Sequence, residues 1–583
     1  MNILGISAFF HDSACCLLQN GVLVAAAEEE RFTRIKADPS IPVRAIQYCL
    51  RAGGIAIGDV DCIAFYEDGR KKLARQLWSG VVDRIPDWRT RLDPNRVESE
   101  IREKTGYMGP IRYFDHHLSH AASSFYFSGF NEAAVFTVDG VGEWATTTFG
   151  MGSFNDLQLF EEVQFPDSLG LLYSTITSYL GFGVNDGEYK VMGLAPYGRP
   201  TYIDQIYKLI KTEANGQYRL DMRYFGFLTN DCMYTDDLCA LLGGAPRKED
   251  SELTGYHMDI AKSIQVVLEE VLIEKADYLY KRTGMSDLCM AGGVALNCVA
   301  NGQILRNTPF KRLYVQPAAN DAGGSIGAAA LAHVEYMGSR PVRDALDNVY
   351  LGPAYSPDRI YQLLESAAVK YHDCRNDAGK IVRLTAEKLV KGKVVGWFQG
   401  RMEFGPRSLG ARSILADPRD PEMRDRINEL VKKRESFRPF APAVLDYKAN
   451  EHFDLDHSSP FMLETCQVTS GLNLPAITHV DGSARVQTVN KKTNQRFFRL
   501  LEEFDRLTGC PVLLNTSYNV KGEPIVCTPE DALKCFITSG IDYLAIEDFA
   551  IDLEENNFDL LRSILFDLPV PEKGIRGDVY TFI

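Results

Sequence analysis

An α/β chain of two large domains is the expectation for these 583 residues, with the first domain built from a repeated unit. The length exceeds that of one ordinary domain. A strand meander is predicted at Ile3 to Ser7, Ala14 to Leu18 and Val22 to Ala27, and a second opens at Ala134 to Val138 and continues at Thr146 to Gly150. Each carries a short acidic loop near its start, His11-Asp12 in one and Asp139-Gly140 in the other. That repetition predicts a duplicated domain with a cleft between its halves. From Gly338 to Pro357, proline and glycine interrupt both periodicities and mark the domain boundary. The domains are therefore set at 1–350 and 351–583, with the C-terminal tail free to pack back on the first.

The elements follow in order. Gln19-Asn20-Gly21 is a hairpin signal between the second and third strands. Met258 to Thr283 has helical periodicity, and Leu288 to Gly293 reads as a strand running into the helix-like VALNCVANGQIL. Glycines at such a junction, here Gly292 and Gly293 with Asn297 just beyond, allow a phosphate or nucleotide to approach the helix amides. Gln316 to Ala329 repeats the layout with Asp321, Gly323 and Gly324. Beyond the boundary come helices at Ile360 to Val369 and Ala378 to Val390, then the strand KVVGWFQG. Pro439 and Pro442 forbid a regular helix through RPFAPAV.

Hydrophobic residues at 45% and charged residues at 24% are those of a globular protein with ample core. No apolar run reaches the roughly 18 residues of a spanning helix, and the N-terminus lacks the basic start of a signal peptide. The thirteen cysteines include no CxxC pair, which suits a reducing compartment, and a cytoplasmic location is expected. A net charge of −15 without a basic run argues against nucleic acid as a partner. Small anions remain compatible, because local cations bind phosphate whatever the global sign.

Residues 115–140 carry the most chemistry. His116 and His120 are four apart, so a helix presents both imidazoles on one face, where they can share a metal ion. Asp139 ends a predicted buried strand, the place where open α/β sheets put phosphate and metal chemistry.

A second concentration lies at 401–443, where Arg407, Arg412, Lys432, Lys433, Arg434 and Arg438 are interleaved with Gly, Pro, Ser and aromatics. Arginine's planar fork suits phosphate or carboxylate, and lysine adds a point charge. The loops HVDGSARVQT (479–488) and LNTSYNVKGEP (514–524) offer Arg485, Asn515, Ser517 and Asn519 to the same purpose. Each loop is equally readable as an Asx-rich turn that satisfies its own backbone.

These segments as a set resemble the O-carbamoyltransferases of bacterial natural-product and nodulation-factor biosynthesis. The likeness rests on ILGISAFFHDSA, EEERFTRIKAD, DHHLSHAAS, GEYKVMGLAPYG, AGGVALNCVANG, NDAGGSIGAA, FGPRSLGARSILADPR, VKKRESFRPFAP and NTSYNVKGEPIV, spread over nearly the whole chain. It implies an actin/sugar-kinase/Hsp70-like first domain, similar to the tRNA threonylcarbamoyladenosine transferase subunit. The second domain is implied to resemble threonylcarbamoyl-adenylate synthase. It further implies metal ligands at His116, His120, Asp139 and Asp321, with iron as the family metal. Iron(II), manganese and zinc all accept two imidazoles and two carboxylates. His11, beside Asp12, matches a position near the transferred group, where it is the nearest candidate for a general base. Arg407, Lys432, Arg438, Asn515 and Ser517 match the carbamoyl phosphate site, with Lys433 the alternative to Lys432.

The implied activity is ATP-dependent transfer of a carbamoyl group from carbamoyl phosphate, through carbamoyl adenylate, to a hydroxyl of a small molecule. ATP with Mg is the cosubstrate, no membrane is involved, and the protein is a monomer or homodimer. Two alternatives stand beside it. A sugar kinase would use the first cleft but leaves the HxxxH pair and the second domain unexplained. A tRNA-modifying carbamoyltransferase would share the chemistry, against the acidic balance. The stretch Lys71 to Arg96 is either an acceptor-binding region or a surface helix pair.

Overall fold

The computed structural model describes residues 1–566 except 81–87, 230, 342–344, 378, 433, 434 and 436. The chain forms two compact units. Of the described residues, one holds Met1–Glu29 and Ala37–Leu346; the other holds those from Asp347 to Phe566 together with the seven residues Glu30–Lys36. The contiguous first domain expected from the sequence is thus interrupted, because a short N-terminal segment packs with the second unit. A packing-back tail would involve residues beyond Phe566, outside the described residues.

The first unit contains two five-stranded sheets of the same design. In one, β1 (Asn2–Ser7), β2 (Ala14–Gln19) and β3 (Val22–Glu28) form an antiparallel meander, and β4 (Cys62–Phe65) and β5 (Ile111–Tyr113) add parallel strands on the other side of β1. In the other, β6 (Glu132–Val138), β7 (Ala145–Ser153) and β8 (Asp156–Gln164) form the meander, and β9 (Asp287–Ala291) and β10 (Arg312–Val315) extend it in parallel. The spatial orders 3-2-1-4-5 and 8-7-6-9-10 match strand for strand. The duplication is therefore a fact of topology. The inner strands β1, β4, β6 and β9 are buried on both faces, which is why they read as unbroken apolar runs.

Two helices tie the halves together. Helix α1 (His116–Phe125) follows the first sheet but packs on β6 and β9 of the second, whereas α2 (Asp321–Met337) follows the second sheet and packs on β1, β2 and β4 of the first. The two helices also pack on each other. Their crossing depends on Gly327, where a Cβ would fall 1.7 Å from the Ser119 carbonyl oxygen.

The second unit is built on an eight-stranded mixed sheet. In chain order its strands are β11 (His372–Asp373), β12 (Val395–Phe398), β13 (Arg412–Ala416), β14 (Ala441–Leu445), β15 (Gln487–Val489), β16 (Val512–Ser517), β17 (Tyr543–Ile546) and β18 (Phe549–Asp552). In space they run β11-β18-β17-β12-β13-β16-β14-β15. Among the described residues no helix is long and apolar enough to cross a membrane.

Candidate metal centre and anion loops

Four buried side chains converge in the first unit: His116, His120, Asp139 and Asp321, with their donor atoms all within 4.8 Å of one another. The sequence dictates this geometry. His116 is the first residue of α1 and His120 lies one turn on, so both rings leave the same face. Asp139 follows the last residue of β6, and Asp321 opens α2.

The rings point Nε2 to Nε2 at 3.0 Å, with Asp139 Oδ2 2.9 Å from His116 and 3.5 Å from His120. Asp321 Oδ1 stands 3.8 and 3.7 Å from the same two nitrogens. Two ring nitrogens and two carboxylate oxygens facing one point at this spacing suit a divalent cation of nitrogen-oxygen preference. The outer contacts hold the set. Gly293 N–H donates to Asp139 Oδ1 at 2.9 Å, and the Tyr66 hydroxyl donates to Asp321 Oδ2 at 3.2 Å. The Nδ1 atoms of both histidines are buried without a hydrogen-bond partner among the described residues.

The loop 139–143 embraces His116 from three sides. Asp139 takes its ring, Gly142 lies so close that a Cβ would come 3.0 Å from His116 Cβ and Cδ2, and Glu143 accepts the His116 backbone N–H at 3.0 Å. Glu143 also accepts the Asp68 N–H at 2.7 Å. Burial pushes the Glu143 carboxyl up to about 7, against the opposing pull of His116 and the Asp68 amide. Burial opposes charge on His120, yet Asp139 and Asp321 outweigh it and hold the imidazole up at about 9. Burial likewise opposes charge on Asp139, yet His116 and His120 outweigh it and keep the carboxyl well below its usual range.

His11 and Asp12 lie in the loop after β1, with His11 Nδ1 2.8 Å from Asp12 Oδ2. Asn320, next to Asp321, donates to Asp12 at 2.8 Å, which brings this loop to the metal cluster. Burial works against charge on His11, but the carboxylates of Asp12, Asp321 and Asp139 raise it to about 9.

The glycine junctions divide. Gly292 has φ +96°, and a Cβ there would meet the Val138 carbonyl oxygen at 2.2 Å, so this residue brings β9 and the Asp139 strand together. Gly323 and Gly324 are buried in the first turn of α2, and Cβ atoms there would meet the Ala318 carbonyl oxygen at 2.1 Å and the Tyr66 ring at 2.7 Å. Their smallness serves the packing of this turn. Asn297 caps the helix Cys298–Asn307 and exchanges amide hydrogen bonds with Gln265.

In the second unit Asn515 is buried, its Nδ2 donating to Gln487 Oε1 at 2.8 Å and its Oδ1 without a partner among the described residues. Arg485 Nε is buried and unpartnered on the same terms. Arg438 stands 3.7 Å from Glu435. The Ser517 hydroxyl donates to Asn519 Oδ1 at 2.7 Å, and Asn519 Nδ2 to the Glu523 carbonyl at 2.7 Å, the local turn bonding that the sequence allowed. Arg407 is half-buried. The side chain of Lys432, and Lys433 and Arg434 entirely, lie outside the described residues.

Arg412, read as part of the basic cluster, has another task. It is fully buried, donates to the carbonyls of Gln399, Ala411, Pro353 and Gly400, and lies 3.6 Å from the Phe398 ring centre. Glu403 gathers the Leu409, Ala411 and Arg412 amides on one oxygen, fixing the loop that carries Arg407. Neither Glu403 nor Glu143 was signalled by spacing or periodicity, since each acts through backbone amides remote from any repeat.

A duplicated α/β unit with a buried two-histidine, two-aspartate centre, joined to a mixed-sheet unit with a caged arginine loop, defines a two-part α/β enzyme. The family description "Carbamoyltransferase N-terminus" matches residues 2–92 and 87–330, and "Carbamoyltransferase C-terminus" matches 386–552. The chain is 46% identical to an uncharacterized protein, sll1178, of Synechocystis sp., over 94% of this chain and 96% of that one. It is 39% identical to the nodulation protein NolNO of Sinorhizobium fredii, covering 94% and 79% of the two chains. Identity to the nodulation protein NolO of Bradyrhizobium diazoefficiens is 41%, over 75% and 78%. The chain belongs to the carbamoyltransferase family, and it is an enzyme of that class.

Proposed function

We propose that the protein transfers the carbamoyl group of carbamoyl phosphate, through carbamoyl adenylate, to a hydroxyl of a small-molecule natural product, with ATP and Mg consumed in the process. What supports this reading is the pairing, in one carbamoyltransferase chain, of a buried two-histidine, two-aspartate cluster with a second unit whose loops carry Arg407, Arg438 and Arg485. The second unit is assigned the first step. Water takes carbamoyl phosphate to carbamate and phosphate, then a carbamate oxygen attacks the α-phosphorus of ATP and pyrophosphate leaves. Arg407, Lys432 and Arg438 bind the anions, while Arg485, Asn515, Ser517 and Asn519 supply polar contacts around them.

The first unit is assigned the second step, in which the acceptor oxygen attacks the carbamoyl carbon and AMP leaves. His116, His120, Asp139 and Asp321 would hold the cation, with iron(II) the first choice. Such an ion supplies a Lewis acid for a phosphate or carbonyl oxygen and offsets the carboxylate charge that raises His11. Asp139 and Asp321 are held in place by Gly293 and Tyr66, so the donor set is preorganised. His11 then takes the acceptor proton, and Asp12 orients its ring through Nδ1.

The product test is direct. Incubation with ATP, carbamoyl phosphate and hydroxylated metabolites is expected to give AMP and pyrophosphate; ADP as the sole nucleotide product would point to a kinase instead.

A further inference from the structure

The segment Glu30–Lys36 (ERFTRIK) leaves the first unit's fold and packs with the second. Its contacts fall on two loops. Arg31, itself buried, donates from Nη2 to the Gly405 carbonyl at 3.0 Å and pairs with Glu30 at 2.8 Å. Gly405 has φ +112° and stands two residues before Arg407. Arg34 donates from Nη1 to the Ile525 carbonyl and from Nη2 to the Pro524 carbonyl, both at 2.7 Å. Its Nε lies 3.6 Å from Asp531, whose other oxygen takes the Cys527 and Thr528 amides. Between the two arginines, Phe32 packs on a small core of Met402, Ile525 and Cys527. One end of each loop therefore rests on this segment.

From this geometry we infer that Arg31 and Arg34 are positioning residues for the anion loops 403–412 and 515–526 of the second unit. A guanidinium is suited to the task, because its planar fork is preorganised to bridge two successive carbonyls, whereas an ammonium on its flexible stem has no such fixed geometry. Neither side chain is assigned contact with a substrate. The inference rests on the proposed adenylate-forming role for its effect on catalysis, but not for its effect on the loops.

The test uses full-length Arg34→Ala, Arg34→Lys and Arg31→Ala proteins with two readouts. In hydrogen exchange, amides of 515–526 are expected to exchange at least tenfold faster in Arg34→Ala, and those of 403–412 in Arg31→Ala, with the peptide 134–150 of the first unit and the strands β12 and β17 unchanged. In the assay of pyrophosphate release, KM for carbamoyl phosphate or ATP is expected to rise about tenfold or more in Arg34→Ala, with a smaller rise in Arg34→Lys. Unchanged exchange in both loops, or equal acceleration across the whole second unit, overturns the inference; the latter would make the arginines general supports. If the unsubstituted protein releases no pyrophosphate, the proposed function fails, and hydrogen exchange alone still decides the loop claim.

Discussion

At the scale of single residues, the metal centre makes three predictions. His116→Ala and His120→Ala are expected to lose bound metal and carbamoyl transfer while pyrophosphate release survives; metal analysis of both purified variants checks this, and full occupancy would contradict it. The second concerns protons. With His120 raised from its ordinary 6.5 to about 9, the metal-free fold holds a proton that the unfolded chain releases earlier. That stabilisation is fully present below pH about 6.5 and is lost as pH rises toward 9. Metal must displace the same proton, so metal affinity should climb over that window by up to tenfold per pH unit. Chelator competition and urea unfolding at pH 6.5 to 9 measure the two opposed trends. Third, His11→Asn should keep metal and adenylate synthesis yet slow transfer by about 10² to 10⁴-fold, with loss of one ionisation from the pH–rate profile of the transfer half-reaction.

At the scale of elements, the loop 139–143 is the piece that fixes the ligand helix. Glu143→Ala removes the acceptor for the His116 and Asp68 amides, and a loss of metal affinity of about 10- to 100-fold is expected, the usual effect of removing an outer partner. Gly292→Ala should cost about 1–3 kcal/mol, read as a lower urea midpoint, because its positive φ and the Val138 carbonyl leave no room for a methyl. Much of this architecture is legible in the chain. Both meanders, the long helix Gly255–Thr283 and the strand into the Gly292 junction follow from apolar period and turn residues. His116, His120 and Asp139 are legible because a four-residue spacing and a strand end have fixed directions. Asp321 needed the family likeness, since a lone aspartate at a helix start more often serves the helix itself. The packing of Gly323 and Gly324 was not legible, because a glycine that admits a neighbouring element and one that admits a phosphate look alike in sequence. Arg412 misled for a similar reason: its charge showed, but three of the four carbonyls that receive it, those of Pro353, Gln399 and Gly400, come from other segments.

At the scale of the molecule, the proposed division of labour predicts separable defects. Arg438→Ala is expected to abolish carbamoyl-phosphate-dependent pyrophosphate release, and supplied carbamoyl adenylate should restore transfer; failure of that rescue at saturating adenylate would argue for a single shared site. The excursion of Glu30–Lys36 has a further consequence, in time. A ribosome makes this segment first and must add roughly 310 residues before the chain at Asp347 emerges, which at about 5–20 residues per second takes about 15–60 s. Throughout that interval Phe32 and the two arginines have no partners from the second unit. Both roots of the segment are already fixed, since Glu29 N–H bonds to the Ser13 carbonyl and Ser13 N–H to the Asp38 carbonyl. The seven residues therefore wait as a short tethered loop, and the entropy of closing the long chain onto them falls on the last stage of folding. Chaperone dependence and slow late steps of refolding should accordingly concentrate in the second half of the chain, although its missing piece is among the first parts synthesised.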